Sequence, residues 1–214
     1  NIATHCLLPY SDAIYNALSK RLTYVHMVRH PLYMITHHML NFKNIISSSR
    51  MDKDFTVYLD YNSFEAPHYI ANCDKDYQNA NPYEKAIYFI DSYFKATANI
   101  NRKNLIIIPF ENFVTSPDYF IKLVCNSLQV EAKGERLSME LKKQNIPRLK
   151  FSDGQKLEIY ERCGWRKIEA GSFEEEKNVI YDSFRKEISS KCKTILEELC
   201  DQYESNYLSE ISKS

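Results

Sequence analysis

The clearest candidate for chemistry in this sequence is Arg29, which stands where an apolar run gives way to a proline. The run Leu22–Val28 is rich in β-branched and aromatic residues, which is typical of a buried strand. His30 and Pro31 follow, and proline pre-sets the first turn of a helix while keeping the preceding residue extended. The pattern therefore predicts a strand, then the arginine, and then a helix that begins at the proline.

This order of elements predicts an anion site. Apolar residues recur at helical spacing after the proline, at Leu32, Ile35, Met39 and Phe42. In open α/β folds, ligands bind at the carboxyl ends of the strands, and the start of a helix favours negative charge. We therefore interpret Arg29 as a phosphate-binding residue. The alternative is a solvated or ion-paired arginine.

Two other stretches carry side chains that could take part in chemistry. His5 stands at the end of a short predicted strand, before a turn that Pro9 closes. A neutral imidazole can accept a proton near pH 7. The segment Glu161–Lys167 places Arg162 and other basic residues around a glycine and a tryptophan, so it could close over a phosphate. The alternatives are a structural histidine and a solvated basic turn.

The run Tyr24–Pro31 resembles the 3′-phosphate-binding signature of the sulfotransferases that use 3′-phosphoadenosine-5′-phosphosulfate (PAPS). In that family a strand ends in an arginine, and a helix begins at a proline shortly after it. The arginine and a serine of that helix hold the 3′-phosphate of the cofactor. Arg29 matches the arginine, and the serine position falls on His37, with Thr36 just before it. The resemblance thus implies Arg29, together with Thr36 or His37, as cofactor-binding residues.

Two further stretches resemble the same family. Thr4 and His5, with the leucine-proline turn behind them, resemble its Thr-His segment, which implies that His5 is the general base. The lysine that precedes this segment in the family would fall on Ala3. The apolar run Leu105–Phe110 and Glu111 resemble a family strand that leads into a Tyr-Glu-Asp-Leu segment. We interpret Glu111 as a structural, hydrogen-bonding carboxylate rather than a catalytic one.

Late in the chain the likeness is looser, and at its start one family element is missing. Arg162 and the segment Gly164–Lys167 resemble a compressed form of the family loop that closes over the phosphate, which implies Arg162 as a cofactor contact. The family's glycine-rich 5′-phosphosulfate loop has no counterpart, and no Walker-type loop is present. Because the chain opens on Asn1, we expect a domain truncated after that loop; the alternative is a relative that no longer binds the cofactor.

Length and composition limit the class of protein. The 214 residues suffice for one domain with a core, and 28 basic against 28 acidic residues create no overall field that favours nucleic acid. The six cysteines show no zinc-like spacing and suit a reducing compartment, although an oxidising lumen stays open. No apolar run approaches the roughly 20 residues that span a bilayer.

We predict a single α/β domain over residues 1–214 in three layers, with a short, mostly parallel sheet flanked by helices. The resemblance implies a sulfotransferase-like, and hence P-loop NTPase-like, fold that is truncated at its N-terminus. Residues 43–81 are either a variable acceptor-site region or a surface insertion. Ser116-Pro117 marks a helix start, and Ser172–Glu175 forms a capping box. This box opens the C-terminal region 172–208, one helix or two broken near Ser189.

The resemblance implies transfer of a sulfuryl group from PAPS to a hydroxyl or amine of a carbohydrate or small-molecule acceptor. The product of the cofactor would be 3′,5′-ADP, and no metal is implied. A kinase relative with a P-loop and a non-catalytic nucleotide-binding or partner-binding domain are the alternatives. We expect a cytoplasmic protein without nucleic-acid partners, or a Golgi-lumen protein if a membrane anchor precedes the chain. The oligomeric state is open.

Overall fold

The computed structural model describes residues 8–18, 21–47, 58–60, 65–67, 75–130, 134–143 and 170–208. Helices predominate among them, and strands are few and short. After a 3₁₀ turn (Leu8–Tyr10), the elements are α1 (Asp12–Leu18), β1 (Tyr24–Val28), α2 (Pro31–Ser47), β2 (Tyr58–Asp60), β3 (Glu65–Pro67), α3 (Lys75–Asn79), α4 (Pro82–Thr97), β4 (Leu105–Pro109), α5 (Phe110–Thr115), α6 (Pro117–Ser127), α7 (Gly134–Lys143), α8 (Phe173–Phe184) and α9 (Ser190–Tyr207).

The chain divides into two compact units. The first comprises Asn1–His30 and Ala96–Asp153, and the second comprises Pro31–Lys95 and Gly154–Ser214. The first unit contains the parallel strands β1 and β4, and the second contains the long helices α2, α4, α8 and α9. Parallel strands together with a majority of helix agree with the predicted α/β class.

The parallel pair is the sheet of the first unit. Tyr24 of β1 lies opposite Leu105 of β4, and Val28 lies opposite Pro109, so the two strands end together. Ile108 is completely buried. Both strands are confirmed at nearly the predicted positions. Their predicted burial throughout is wrong, because Val25 and Met27 of β1 and Ile107 of β4 are exposed.

The start of α6 differs in one detail from the sequence-based prediction. Pro117 occupies the first turn as expected, but the side chain of Ser116 makes no capping hydrogen bond. Instead the Ser116 N–H donates to the carbonyl of Asn112 at 2.9 Å, which links α5 directly to α6. The predicted positions are therefore confirmed, with Ser116 as the N-cap residue and Pro117 as the first helical residue, but the serine side chain does not cap the helix.

In the second unit α2 packs against α8 and α9. The C-terminal region forms two helices, and Ser189 caps the second by accepting a hydrogen bond from the Cys192 N–H. Between α2 and α4, within the predicted variable region, β2 and β3 form an antiparallel pair. The buried side chains of α2, α4, α8 and α9 include Leu32, Tyr33, Ile35, Ile87, Ile90, Ile180, Phe184, Leu196, Leu199 and Tyr203.

The predicted capping box of α8 is present in a modified form. The Glu175 N–H donates to Ser172 Oγ at 3.1 Å, as the motif requires. The returning carboxylate of Glu175 accepts from the Gly171 N–H at 2.6 Å, one residue before the expected donor. The cap therefore extends over one more residue of the incoming chain.

A second cap joins two helices that are far apart in sequence. Asn81 Oδ1 accepts hydrogen bonds from the Tyr83 and Glu84 N–H groups at 2.9 and 3.1 Å, which caps α4. The Glu84 carboxylate accepts from the Asn81 N–H at 3.2 Å and from the Ser189 N–H at 2.9 Å. One carboxylate thus fixes the start of α4 to the residue that caps α9.

Replacing Glu84 with alanine should lower the free energy of unfolding at pH 7 by about 1–2 kcal/mol, because two N–H groups lose a charged acceptor. Burial opposes ionisation, but the bonds from Ser189 and Asn81 outweigh it and lower the pKa of Glu84. The carboxylate therefore stabilises the fold above the ordinary carboxyl pKa, and this contribution disappears as the pH falls through the lowered value. Denaturant titrations from pH 7 to pH 3 measure both effects.

The matched control for this prediction is Glu198→Ala, which removes an exposed glutamate from α9. Its unfolding free energy should stay within about 0.5 kcal/mol of the wild type. A Glu84→Ala protein that is as stable as the control, or a difference that does not shrink toward pH 3, would contradict the bridging role.

Candidate functional site

The candidate site is the carboxyl edge of the parallel pair, where Arg29 follows β1 and Phe110 follows β4. The Arg29 guanidinium carbon lies 4.9 Å from the centroid of the Phe110 ring. A guanidinium over an aromatic face is attracted by the negative potential of the ring. The aromatic ring therefore supports the arginine that the sequence predicts as a phosphate ligand.

His30, which follows Arg29, and Glu111, which follows Phe110, make a second contact between the strand ends. The His30 N–H donates a hydrogen bond to Glu111 Oε1 at 3.0 Å, and both residues are completely buried. A buried carboxylate that accepts a backbone N–H satisfies a donor that would otherwise be costly to bury. Glu111 thus has the hydrogen-bonding environment of the structural role predicted for it.

Of the first three backbone positions at the start of α2, two have other partners and one carries no N–H. Pro31 carries no N–H, and the His30 N–H is bound to Glu111. The backbone of Leu32 hydrogen-bonds to the Cys200 thiol; burial nevertheless raises the pKa of Cys200 to about 12. These three positions therefore add little to anion binding, contrary to the simple expectation for a helix start. At this strand end the Arg29 guanidinium is a cationic group that could hold an anion.

The other predicted site residues fall in different parts of the chain. Thr36 is half-buried and His37 is exposed; both lie in α2 and so belong to the second unit, whereas Arg29 belongs to the first. The rings of His37 and His38 meet edge to face at 5.8 Å. His5 and Arg162, the predicted base and the predicted late contact, lie outside the described residues.

His26 lies in the middle of β1, the strand that precedes Arg29, and it makes the stability of the folded protein depend on pH. Burial lowers the pKa of His26 below its ordinary value of 6.5. In the interval between the lowered pKa and about 6.5 the unfolded chain binds a proton that the folded chain does not. Stability therefore falls as the pH is lowered through this interval.

We expect the unfolding free energy of the wild type to fall by up to about 1.4 kcal/mol for each pH unit of that interval. The variant His26→Gln, which cannot bind this proton, should lose that part of the slope and match the wild-type slope above pH 7. Denaturant titrations of both proteins between pH 8 and pH 5 measure the dependence of the unfolding free energy on pH. Equal slopes for the two proteins below pH 6.5 would contradict a buried, neutral His26.

Sequence analysis identified Arg29 and Glu111 but missed the part played by Phe110. The missing information is the register of β1 against β4, which brings the two strand ends together. No local signal in the sequence gives this register, because β1 and β4 are far apart in the chain.

Comparisons with protein-family models, with curated proteins and with solved structures found no match to this chain. Among the residues that the structure describes, no group of three or more His, Cys, Asp or Glu side chains could hold a metal ion. None of the described helices is both long enough and apolar enough to cross a membrane. The class that can be stated is an α/β protein with much helix and a short parallel strand pair.

Proposed function

We propose that this chain is a PAPS-dependent sulfotransferase domain, which transfers a sulfuryl group to a hydroxyl or amine of a carbohydrate or small-molecule acceptor. The observation that carries the proposal is the position of Arg29. It follows the last residue of a parallel strand, and a helix begins two residues later at Pro31. The sequence resemblance assigns a 3′-phosphate-binding arginine to this position.

The chemistry of the strand end fits the 3′-phosphate of the cofactor. A guanidinium presents several N–H donors in a plane and binds phosphate oxygens bidentately. The guanidinium carbon lies over the Phe110 ring, 4.9 Å from its centroid, so the ring borders the guanidinium on one side. Arg29 would hold the 3′-phosphate, and by resemblance Thr36 or His37 and Arg162 would add contacts.

The remaining roles follow from the resemblance. PAPS, when bound, supplies the sulfuryl group and leaves as 3′,5′-ADP. His5 would accept the proton of the acceptor hydroxyl, which a neutral imidazole can do near pH 7. Catalysis would then depend on holding the acceptor, the imidazole and the cofactor phosphates in fixed positions.

Isothermal titration calorimetry with 3′,5′-ADP and 5′-AMP tests the proposal, because these nucleotides differ only in the 3′-phosphate. We expect 3′,5′-ADP to bind at least about tenfold more tightly, since charge-assisted hydrogen bonds to one phosphate supply more than about 1.4 kcal/mol. Equal dissociation constants would contradict a 3′-phosphate site. Binding of neither nucleotide would reject the proposed function, and a preference for magnesium-ATP would indicate a kinase relative instead.

A further inference from the structure

The two consecutive residues after β4 contact the two consecutive residues after β1. Phe110 lies under the guanidinium of Arg29, and Glu111 accepts the His30 N–H. The last paired residues of the strands are Val28 and Pro109, so these contacts begin immediately beyond the sheet. Side-chain contacts therefore continue the alignment of the strands into the predicted anion site.

Phe110 restricts the arginine side chain. Arginine has many rotamers, and a free side chain loses much of this freedom when it binds a phosphate. The ring contact at 4.9 Å favours those rotamers that lay the guanidinium on the aromatic face. Part of the ordering cost is then met before the ligand arrives, which is the basis of tighter binding by preorganisation.

Glu111 restricts the backbone on the other side of Arg29. Its carboxylate holds the His30 N–H at 3.0 Å in a completely buried environment, where a hydrogen bond is strong and costly to break. The Arg29–His30 peptide is thereby fixed in orientation. The Arg29 side chain then departs from a backbone that is held on both sides, by β1 and by this bond.

We propose that Phe110 and Glu111 form a positioning pair for Arg29 and thereby set the preference of the site for a 3′-phosphorylated nucleotide. This inference rests on the proposed function. Neither residue is required to touch the nucleotide, so both act through the arginine. The pair should therefore control selectivity between nucleotides with and without the 3′-phosphate, which a purely structural role would not do.

The test measures the ratio of the dissociation constants of 5′-AMP and 3′,5′-ADP by calorimetry. Phe110→Leu and Glu111→Met should each lower this ratio by about tenfold, through weaker 3′,5′-ADP binding, while 5′-AMP binding stays within about twofold. Glu111→Gln, which keeps an oxygen acceptor, should restore most of the ratio. The control is Tyr119→Leu, which removes an exposed aromatic side chain from α6 of the same unit and should leave the ratio unaltered.

Thermal unfolding of each variant shows whether it is folded. An unchanged ratio in folded Phe110→Leu and Glu111→Met proteins, or equal weakening of both nucleotides, would overturn the inference. If Glu111→Met does not fold, the decision rests on Phe110→Leu and on Phe110→Tyr, which keeps the aromatic face and should keep the ratio.

The positioning of Arg29 by Phe110 can be tested separately from nucleotide binding, so that failure of the proposed function and failure of the positioning role are distinguishable. If the wild type binds neither nucleotide, ¹⁵N spectra still test whether Phe110 positions the Arg29 side chain. The Arg29 Nε–H signal is assigned by its loss in Arg29→Gln. In the wild type this proton should show the upfield ring-current shift expected over an aromatic face. The shift should disappear in Phe110→Leu and persist in Tyr119→Leu. An Nε–H signal at the same position in all three proteins would overturn the positioning role.

Discussion

Replacing Arg29 with alanine should weaken the binding of 3′,5′-ADP by about 2 kcal/mol, or roughly thirtyfold. The guanidinium stands at the end of β1 with one face on Phe110, and alanine removes every donor it could direct at a phosphate. The affinity for 5′-AMP should change little, because that nucleotide lacks the 3′-phosphate. Calorimetric titration of both nucleotides into both proteins gives the comparison.

Two variants make this measurement specific. Arg29→Lys keeps the positive charge without the planar donors, so its affinity for 3′,5′-ADP should lie between those of the wild type and Arg29→Ala. Arg136→Ala removes an exposed arginine from α7 of the same unit and should bind like the wild type. An unchanged dissociation constant for 3′,5′-ADP in Arg29→Ala would contradict the assignment of the phosphate to this residue.

Replacing His5 with alanine should lower turnover by about a hundredfold or more, the usual scale of general base catalysis. The affinity for 3′,5′-ADP should stay the same, because the predicted base acts on the acceptor and not on the cofactor phosphates. The assay follows sulfuryl transfer from PAPS by the full-length protein to an acceptor on which the wild type is active.

The pH profile separates a base from a structural histidine. The wild-type rate should fall on the acid side of an apparent pKa near that of imidazole, about 6.5, and His5→Ala should lose this limb. The variant His5→Gln, which keeps a polar side chain of similar size, should be as slow as His5→Ala. Wild-type turnover in either variant would remove His5 from the proposed mechanism.

Local signals explain why most elements could be predicted from the sequence. Pro31 and Pro117 each stand at the first residue of a helix, and proline is favoured there because it lacks an N–H and has a fixed φ. The two apolar runs predicted the positions of β1 and β4, but not that one face of β1 is exposed at Val25 and Met27. These predictions needed only neighbouring residues.

Predictions that depend on distant residues were incomplete. The contact of Arg29 with Phe110 needs the register of two strands that are far apart in sequence, and no local pattern encodes it. The carboxylate of Glu84 was not singled out, because one of its donors, Ser189, comes from another helix. Ser116 stands at the N-cap as predicted, but its side chain makes no capping hydrogen bond, which the residue type alone does not reveal.

The carboxylate that Asn81 and Ser189 share has a kinetic consequence. Glu84 accepts from both N–H groups, so fraying at the start of α4 releases the start of α9 as well. The amide protons of these two residues should then exchange with deuterium through one common opening, at matching rates that are slow in the wild type. In Glu84→Ala the two rates should rise and diverge, because each end then opens by itself.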